Sequence, residues 1–285
     1  MKFRSLALLA FLIFVTNASG QLSETEQAWN RPVEPFRIAG NVYYVGAADL
    51  SSYLITTPKG HILLDSGMLE TVPLVRANIE SLGFSIRDVR LILNSHAHFD
   101  HAGGIAALQQ ASGAEVAASS SGAMVLRAGT VGADDPQFGV ARAFRFPAVA
   151  RVREVRDGER LRVGELAVTA HLTPGHTPGS TTWTWRSCDA QGCIDAVYAD
   201  SLNPVSTGDF RFGRLAASFR ASIDKVASLP CDMVVPVHPG FTGIVRKAAE
   251  RTGDHNPFVQ PGGCKAYAAE AARRLDERLA KEATR

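Results

Sequence analysis

The stretch 94-NSHAHFDHAGG-104 places three histidines and one aspartate within six positions: His96, His98, Asp100 and His101. The whole chain has 8 histidines, so this short stretch holds a large share of them. A hydrophobic core gains nothing from such a cluster, because imidazole and carboxylate groups lose their hydration when they are buried. The stretch therefore predicts a binding site for a ligand that prefers nitrogen and oxygen donors.

The apolar residues before the cluster, VRLILNS, predict a buried strand that ends at the site. Side chains alternate along a strand, so both histidines of the H-x-H pair point the same way as the strand ends. That pair can bind one metal ion, and the Asp-His pair after it, at the expected start of a helix, can hold a second. Gly103 and Gly104 allow the backbone to turn closely around the site.

Similar corners occur elsewhere in the chain: LTPGHTPGS contains His176, VVPVHPG contains His238, and VYADSLNP contains Asp200 and Ser201. Each follows a predicted strand, and loops held by a rigid scaffold are where binding sites concentrate. A donor set of imidazoles and carboxylates without thiolates favours zinc. Taken alone, a His-Pro-Gly such as that of His238 is more often a turn residue than a ligand, and the same holds for His176. The remaining histidines are interpreted as ordinary strand or turn residues: His61, His171 and His255.

Strand-like and helix-like stretches alternate in two comparable halves, which predicts an α/β fold with its sheet covered by helices. Residues 130–150 interrupt this rhythm with glycines, two prolines and three phenylalanines. We expect them to form a long mobile loop that exposes Phe138, Phe144 and Phe146.

Residues 1–20 have the layout of a secretory signal peptide, with Lys2 and Arg4 before an apolar run and small residues at the end. The apolar run is too short to span a bilayer, although an N-terminal anchor that stays attached is the alternative. We therefore expect a periplasmic or secreted protein with a single domain over residues 21–285.

The chain carries 30 basic and 28 acidic residues, a formal charge of +2. Removal of the two basic residues of the signal segment leaves 28 of each sign. This balance argues against nucleic acid or a membrane surface as a partner.

The cysteines are even in number, which in an exported chain indicates disulfides. They permit three pairings. Cys188 and Cys193 could close a hairpin-like loop in SCDAQGC and leave Cys231 to pair with Cys264. A zinc site made of thiolates is the alternative, but the chain has no C-x-x-C motif.

The motifs SHAHFDHAGG, TPGHTPGS, YADSL and VPVHPG, in this order, resemble those of the metallo-β-lactamase superfamily over almost all of residues 21–285. The resemblance implies a four-layer αββα sandwich with two zinc ions bound along one edge. It also implies the ligands of each ion. The first zinc would be held by His96, His98 and His176, and the second by Asp100, His101 and His238.

Within the superfamily, the chain is most similar to the third subclass of class B β-lactamases. Ser201 stands where the first subclass has a cysteine ligand, and His96 stands where the second subclass has asparagine. The resemblance implies that Ser201, Asn203 and Gln137 lie near the substrate. Some relatives have serine at the position of Asn203.

The activity that the resemblance implies is hydrolysis of the β-lactam ring of penicillins, cephalosporins and carbapenems. A zinc-bound hydroxide would attack the ring, Asp100 would orient it, and the outcome would be antibiotic resistance. The expected partner is this small-molecule substrate, and the expected state is a monomer. The chain has no G-x-S-x-G elbow, which counts against an α/β-hydrolase.

Two alternatives remain open. The first is a glyoxalase II-like thioesterase or a lactonase on the same fold, in which an aspartate at a position like Asp200 bridges the metals. The second is a zinc-binding protein without catalytic activity.

Overall fold

The computed structural model describes residues 22–141, 145–189, 192–252 and 255–284. Its strands are β1 (Phe36–Ala39), β2 (Val42–Tyr44), β3 (Tyr53–Thr57), β4 (Gly60–Leu64), β5 (Val89–Leu93), β6 (Glu115–Ser119), β7 (Val152–Val155), β8 (Arg160–Val163), β9 (Leu166–Leu172), β10 (Thr181–Asp189), β11 (Gly192–Ala199) and β12 (Met233–Pro236). Its α-helices are α1 (Glu24–Trp29), α2 (Val72–Ser81), α3 (Phe99–Ala102), α4 (Ile105–Ser112), α5 (Ser120–Ala128), α6 (Phe138–Ala141), α7 (Ala216–Ser228), α8 (Ile244–Ala249) and α9 (Gly263–Ala283).

The strands form two mixed sheets. A seven-stranded sheet has the order β1-β2-β3-β4-β5-β6-β7, and a five-stranded sheet has the order β12-β11-β10-β9-β8. In the first sheet, β1 to β4 are antiparallel, whereas β4 to β7 are parallel. In the second sheet, only β11 and β12 are parallel. The central parallel strands β4 and β5 carry apolar runs, ILL and LIL, because both of their faces are covered.

The two sheets pack face to face, with a helical layer outside each. Tyr53 of the first sheet and Trp183 and Tyr198 of the second are fully buried in the core between the sheets. The outer face of the first sheet packs against α2, α4 and α5. The outer face of the second packs against α7 and α9. The predicted αββα sandwich is therefore confirmed.

The described parts of the stretch 130–150, residues 130–141 and 145–150, contain a short helix and buried residues that the sequence analysis did not expect. Phe146 is 8% exposed and packs in the core beneath α5, and its N–H donates to Gly129 O over 3.0 Å. Phe138 begins the short helix α6 and is half-buried, while Phe144 lies outside the described residues. The expectation of exposed phenylalanines was wrong for Phe146, because the chain folds back onto the end of α5 and buries this ring.

The four cysteines form two disulfides, Cys188–Cys193 and Cys231–Cys264, as the sequence analysis expected. The first joins facing residues of β10 and β11. The second fastens the start of α9 to the segment that leads into β12. The second disulfide therefore encloses the chain that carries His238.

None of the described helices combines the length and the apolar character that crossing a membrane requires. The expected signal peptide, residues 1–20, lies outside the described residues.

Candidate metal centre

The candidate ligands meet at one edge of the sandwich, where strands of both sheets end. The histidine cluster follows β5 of the first sheet directly, with Asp100 and His101 in α3. His176 lies in the turn between β9 and β10, and His238 follows β12 of the second sheet. Residues from both sheets therefore line one site.

One group of donors consists of His96, His98 and His176. Each offers one ring nitrogen, and these nitrogens lie within 4.8 Å of one another. The imidazole rings lie 4.7 to 5.1 Å apart between centroids. All three residues are buried. Such a triangle of imidazoles can hold a metal ion and leave a coordination position open for water or substrate.

A second group lies beside the first and consists of Asp100, His101 and His238. The Nε2 atoms of the two histidines are 3.3 Å apart. Asp100 Oδ2 lies 3.4 Å from His101 Nε2 and 3.6 Å from His238 Nε2. The rings of His96 and His101 are 4.2 Å apart, so the two groups are adjacent. The structure thus brings together all six residues that the sequence analysis named as ligands.

In four of the five histidines, the ring nitrogen that faces away from the site is held by an acceptor. The bonds are His96 Nδ1 to Asp200 Oδ1 (2.7 Å), His98 Nε2 to Asp135 Oδ2 (3.1 Å), His176 Nδ1 to Asn203 O (2.8 Å) and His238 Nδ1 to Asp49 O (2.8 Å). An acceptor on the outer nitrogen places the proton there, so the inner nitrogen keeps a free lone pair. This is the arrangement that a metal-binding histidine needs, and the donor set therefore fits zinc.

Asp65, at the end of β4, organises the floor of the site. Its carboxylate accepts hydrogen bonds from Ser95 N at 2.8 Å, Asn94 Nδ2 at 3.0 Å and Tyr198 OH at 2.5 Å. It also lies 3.5 Å from His101 Nδ1. Its backbone φ of 51° is in the left-handed region, an unfavourable conformation that the bonded surroundings maintain.

The electrostatics differ between the two groups. Burial and the neighbouring imidazoles lower the pKa of His96 well below its usual value and that of His176 to about 3. These rings are therefore neutral at pH 7, the form that binds metals. Burial alone would lower the pKa of His101, but the carboxylates of Asp100 and Asp65 raise it to about 10. The second group thus stabilises a buried positive charge. A divalent cation bound there would provide this charge in place of the proton on His101.

The other residues that the sequence named lie around this centre. Asp200 is buried, its Oδ1 bonds His96, and burial raises the pKa of its carboxyl to about 7. Ser201 is 2% exposed. Asn203 is half-buried, and its backbone oxygen holds His176. Gln137 Nε2 lies 3.5 Å from His98 Nδ1, so this side chain reaches the first group.

Sequence reasoning missed Asp65, Asp135 and the carbonyl of Asp49. Asp65 directly follows a buried strand, a signal that could have been noticed. Asp135 lies 37 residues from His98 in a segment that reads as a loop, and no local pattern connects them. A backbone carbonyl such as that of Asp49 has no sequence signature.

The stretch Ser222–Lys225 matches S-x-x-K, the nucleophile motif of serine β-lactamases. It lies within α7, where Ser222 Oγ donates to Pro174 O at 2.7 Å and Lys225 Nζ pairs with Asp157 at 3.0 Å. The serine and lysine are engaged with other residues, so this match has no catalytic geometry.

Residues 46–238 match the family model described as the metallo-beta-lactamase superfamily, which is about two thirds of the chain. Among solved structures, the Rm3 metallo-beta-lactamase is 46% identical with a TM-score of 0.89, and the match covers 92% of this chain and 99% of that one. MEM-A1, a subclass B3 metallo-beta-lactamase from a soil metagenome library, is 44% identical with a TM-score of 0.86, covering 90% and 99%.

Among curated proteins, the hydroxyacylglutathione hydrolase of Rhodospirillum rubrum is 28% identical over 162 residues, 56% of this chain and 51% of the relative. The protein of that name from Anaeromyxobacter dehalogenans is 32% identical over 155 residues, covering 53% and 47%. The chain thus spans about half the length of the curated relatives it matches.

Proposed function

Because this chain belongs to the metallo-beta-lactamase superfamily, we propose that it is a zinc-dependent β-lactamase of the third-subclass type. It opens the four-membered ring of penicillins, cephalosporins and carbapenems. The observation that carries this proposal is the donor set: five histidines and one aspartate in two adjacent groups, with Ser201 where a cysteine ligand would otherwise stand. The near-complete coverage of the Rm3 and MEM-A1 metallo-beta-lactamases supports it.

The two groups of donors would fit two zinc ions. His96, His98 and His176 would hold one ion, and Asp100, His101 and His238 would hold the other. When bound, zinc polarises a carbonyl oxygen and lowers the pKa of water from 15.7 to roughly 7, so that a nucleophile is available at neutral pH.

Asp100 has a catalytic role in this proposal. Burial raises the pKa of its carboxyl, but without metal the charge of His101 lowers this pKa well below its usual range. A zinc ion bound by His101 would supply the positive charge in its place, so Asp100 is ionised in both states. Its side chain is 12% exposed and faces His101 and His238. An ionised carboxylate at this place accepts a hydrogen bond from the attacking water and orients it toward the ring carbonyl.

The substrate is held by residues at the rim of the centre. Asn203 and Gln137 retain partial exposure and donate from their amide groups to the carboxylate or the carbonyl of the substrate. Ser201 is the third such contact that the resemblance implies, but its burial makes Asn203 and Gln137 the more accessible pair. Displacing water from this pocket strengthens each of these bonds.

The second candidate is a thioesterase like the hydroxyacylglutathione hydrolases that match half of the chain. In that mechanism a carboxylate at Asp200 joins the metal ligands. Here Asp200 Oδ1 instead lies 2.7 Å from the outer nitrogen of His96, on the far side of the ring from the donor atoms. This placement favours the β-lactamase.

The proposal includes export. A chain cleaved after residue 20 would act outside the cytoplasm, as a monomeric single domain over residues 21–285. In that compartment it would intercept antibiotics before they reach their targets and would confer resistance.

Hydrolysis assays test the proposed activity. The purified protein should hydrolyse a carbapenem and a cephalosporin, lose this activity after chelation, and regain it with zinc. S-lactoylglutathione serves as the competing substrate. Turnover of the thioester without turnover of either β-lactam would replace the proposal with the thioesterase, and zinc binding without hydrolysis of any of them would leave only a zinc-binding protein.

A further inference from the structure

A cavity that contains none of the metal donor atoms lies between α8, α9 and the loop that carries Asn203. Its volume is about 250 Å³. Ile244, Phe258 and Ala271 give it an apolar floor, and each of these residues is buried. We propose that this cavity is a second ligand-binding site, which takes a small carboxylic acid with an apolar body.

The charges at the cavity favour an anion. Lys247 lines the cavity, and its Nζ bonds the neutral Gln260 Oε1 at 3.1 Å. In the described part of the chain, no carboxylate pairs with this ammonium group. Burial and the nearby Arg246 lower the pKa of Lys247, as expected for a cation without a counterion. A ligand carboxylate would provide the missing partner.

The other charged residues of the cavity do not cancel this preference. Arg274 also lines it, with its guanidinium 5.5 Å from the centroid of the Phe241 ring. Glu270 is the acidic residue of the lining, and it already pairs with Arg273 at 2.6 Å and with Arg274 at 2.9 Å. The described lining therefore presents more positive than negative charge, above an apolar floor.

The cavity shares walls with the metal centre but does not include the donor atoms. Phe241 separates the cavity from His238, whose ring lies 5.4 Å from that of Phe241. Tyr267 lines the cavity and donates its hydroxyl to Asp200 O at 2.9 Å. A bound acid would therefore lie behind residues that position the ligands, and its binding does not depend on the proposed β-lactamase activity.

Calorimetric titration of the zinc-loaded protein tests this site, with 4-phenylbutyrate as the probe and its neutral amide as the matched ligand. We expect the acid to bind with a Kd in the low millimolar range or tighter, and the amide to bind about tenfold or more weakly, because it lacks the charge that Lys247 recognises. Equal affinities, or no binding of the acid, would overturn the proposal.

Variants locate the bound acid. K247Q should weaken binding of the acid by about tenfold or more, whereas R246Q, which removes a neighbouring charge paired with Glu250 outside the cavity lining, should change it less than about twofold. A266F places a ring on the exposed rim of the cavity and should also weaken binding. A carboxylate bound to zinc would behave differently: its affinity would survive K247Q and vanish after chelation, and that result contradicts the proposal.

Discussion

At the scale of single residues, the metal centre depends on the groups behind the histidines as much as on the histidines themselves. The outer nitrogens that have a partner are bonded to two kinds of acceptor: carboxylates for His96 and His98, and backbone carbonyls for His176 and His238. A carboxylate adds negative charge and makes the ring a stronger donor, whereas a carbonyl mainly fixes its orientation. Substitutions of the carboxylates should therefore weaken zinc binding without removing a ligand.

Asp135 provides the first such test. D135N keeps an acceptor near His98 Nε2 but removes the charge, so we expect zinc affinity to fall by about 10–100-fold. D134N removes the same charge from the exposed neighbour and should leave zinc affinity within about twofold. Competition with a zinc-binding dye measures both. Equal losses in the two variants would show that Asp135 acts through general charge alone.

Asp200 separates the two candidate activities. If it only orients His96, D200A should bind zinc more weakly, as D135N does, but should still hold the ion when zinc is in excess, and it should lose about 10–100-fold in kcat/KM on a carbapenem. H176A removes a direct donor and should lose both zinc and activity far more severely. Zinc content and kcat/KM, measured together for both variants, show whether Asp200 orients His96 or binds the metal. A D200A protein as depleted of zinc as H176A would instead place this carboxylate among the ligands, as the thioesterase requires.

At the scale of elements, the site depends on segments that are held at both ends. The chain leaves α5 through Gly129, a left-handed cap with a φ of 67°, and Phe146 then returns to bond Gly129 O. Between these two residues lie Asp135 and Gln137, which reach His98. The packing of Phe146 thus anchors the segment that covers the first group of donors.

Two glycine caps give a matched comparison. G113A places a side chain at a φ of 74° in open space, so it should cost about 1–2 kcal/mol of unfolding free energy from conformation alone. G129A has a similar φ of 67°, but its Cβ would lie 2.4 Å from Phe146 O. We expect a larger loss from G129A, together with weaker zinc binding through Asp135. Urea unfolding of both variants measures the difference, and equal losses would mean that the carbonyl of Phe146 moves away at no cost.

The disulfides give a second comparison between elements. Removal of Cys231–Cys264, which spans 33 residues, should cost about 4 kcal/mol, and removal of Cys188–Cys193, which spans 5, about 2 kcal/mol, because the longer loop gains more freedom when unfolded. Paired serine variants and denaturant unfolding test this order. A non-reducing peptide map with free thiols or crossed pairs would refute the pairing itself.

At the scale of the whole molecule, the metal centre connects the two sheets. His96 and His101 come from the first sheet, while His176 and His238 come from the second. The sheets also meet through Trp183, whose Nε1 donates to Asn94 O at 3.0 Å. Zinc bound between them would therefore stabilise the folded state, because the donors come together only in the folded chain.

This connection predicts that stability depends on zinc concentration. Above the Kd, each tenfold increase in free zinc should add about 1.4 kcal/mol of unfolding free energy per site, until the unfolded chain also binds. The midpoint of thermal unfolding, measured in zinc buffers, checks this expectation. H176A, which disrupts the first group, should show a weaker dependence. A midpoint that is independent of zinc in the parent protein would contradict binding between the sheets.

The sequence by itself determined the parts that depend on local spacing. The cluster from His96 to His101 is visible because four donors lie within one strand end and one helical turn, so their proximity follows from chain geometry alone. The apolar runs before the other corners likewise indicated strands that end at His176, Asp200 and His238. The resemblance of the motifs then supplied the αββα sandwich, which the structure confirms.

Only the tertiary structure decided how the donors are supported. Asp135 meets His98 across 37 residues, Asp200 meets His96 across 104, and the carbonyl of Asp49 meets His238 across 189. Over such separations the sequence pattern does not indicate how close two residues lie in space, because their positions are set by how the two sheets and their helices pack. The burial of Phe146 was missed for the same reason: whether a phenylalanine in a loop is exposed depends on what the loop packs against.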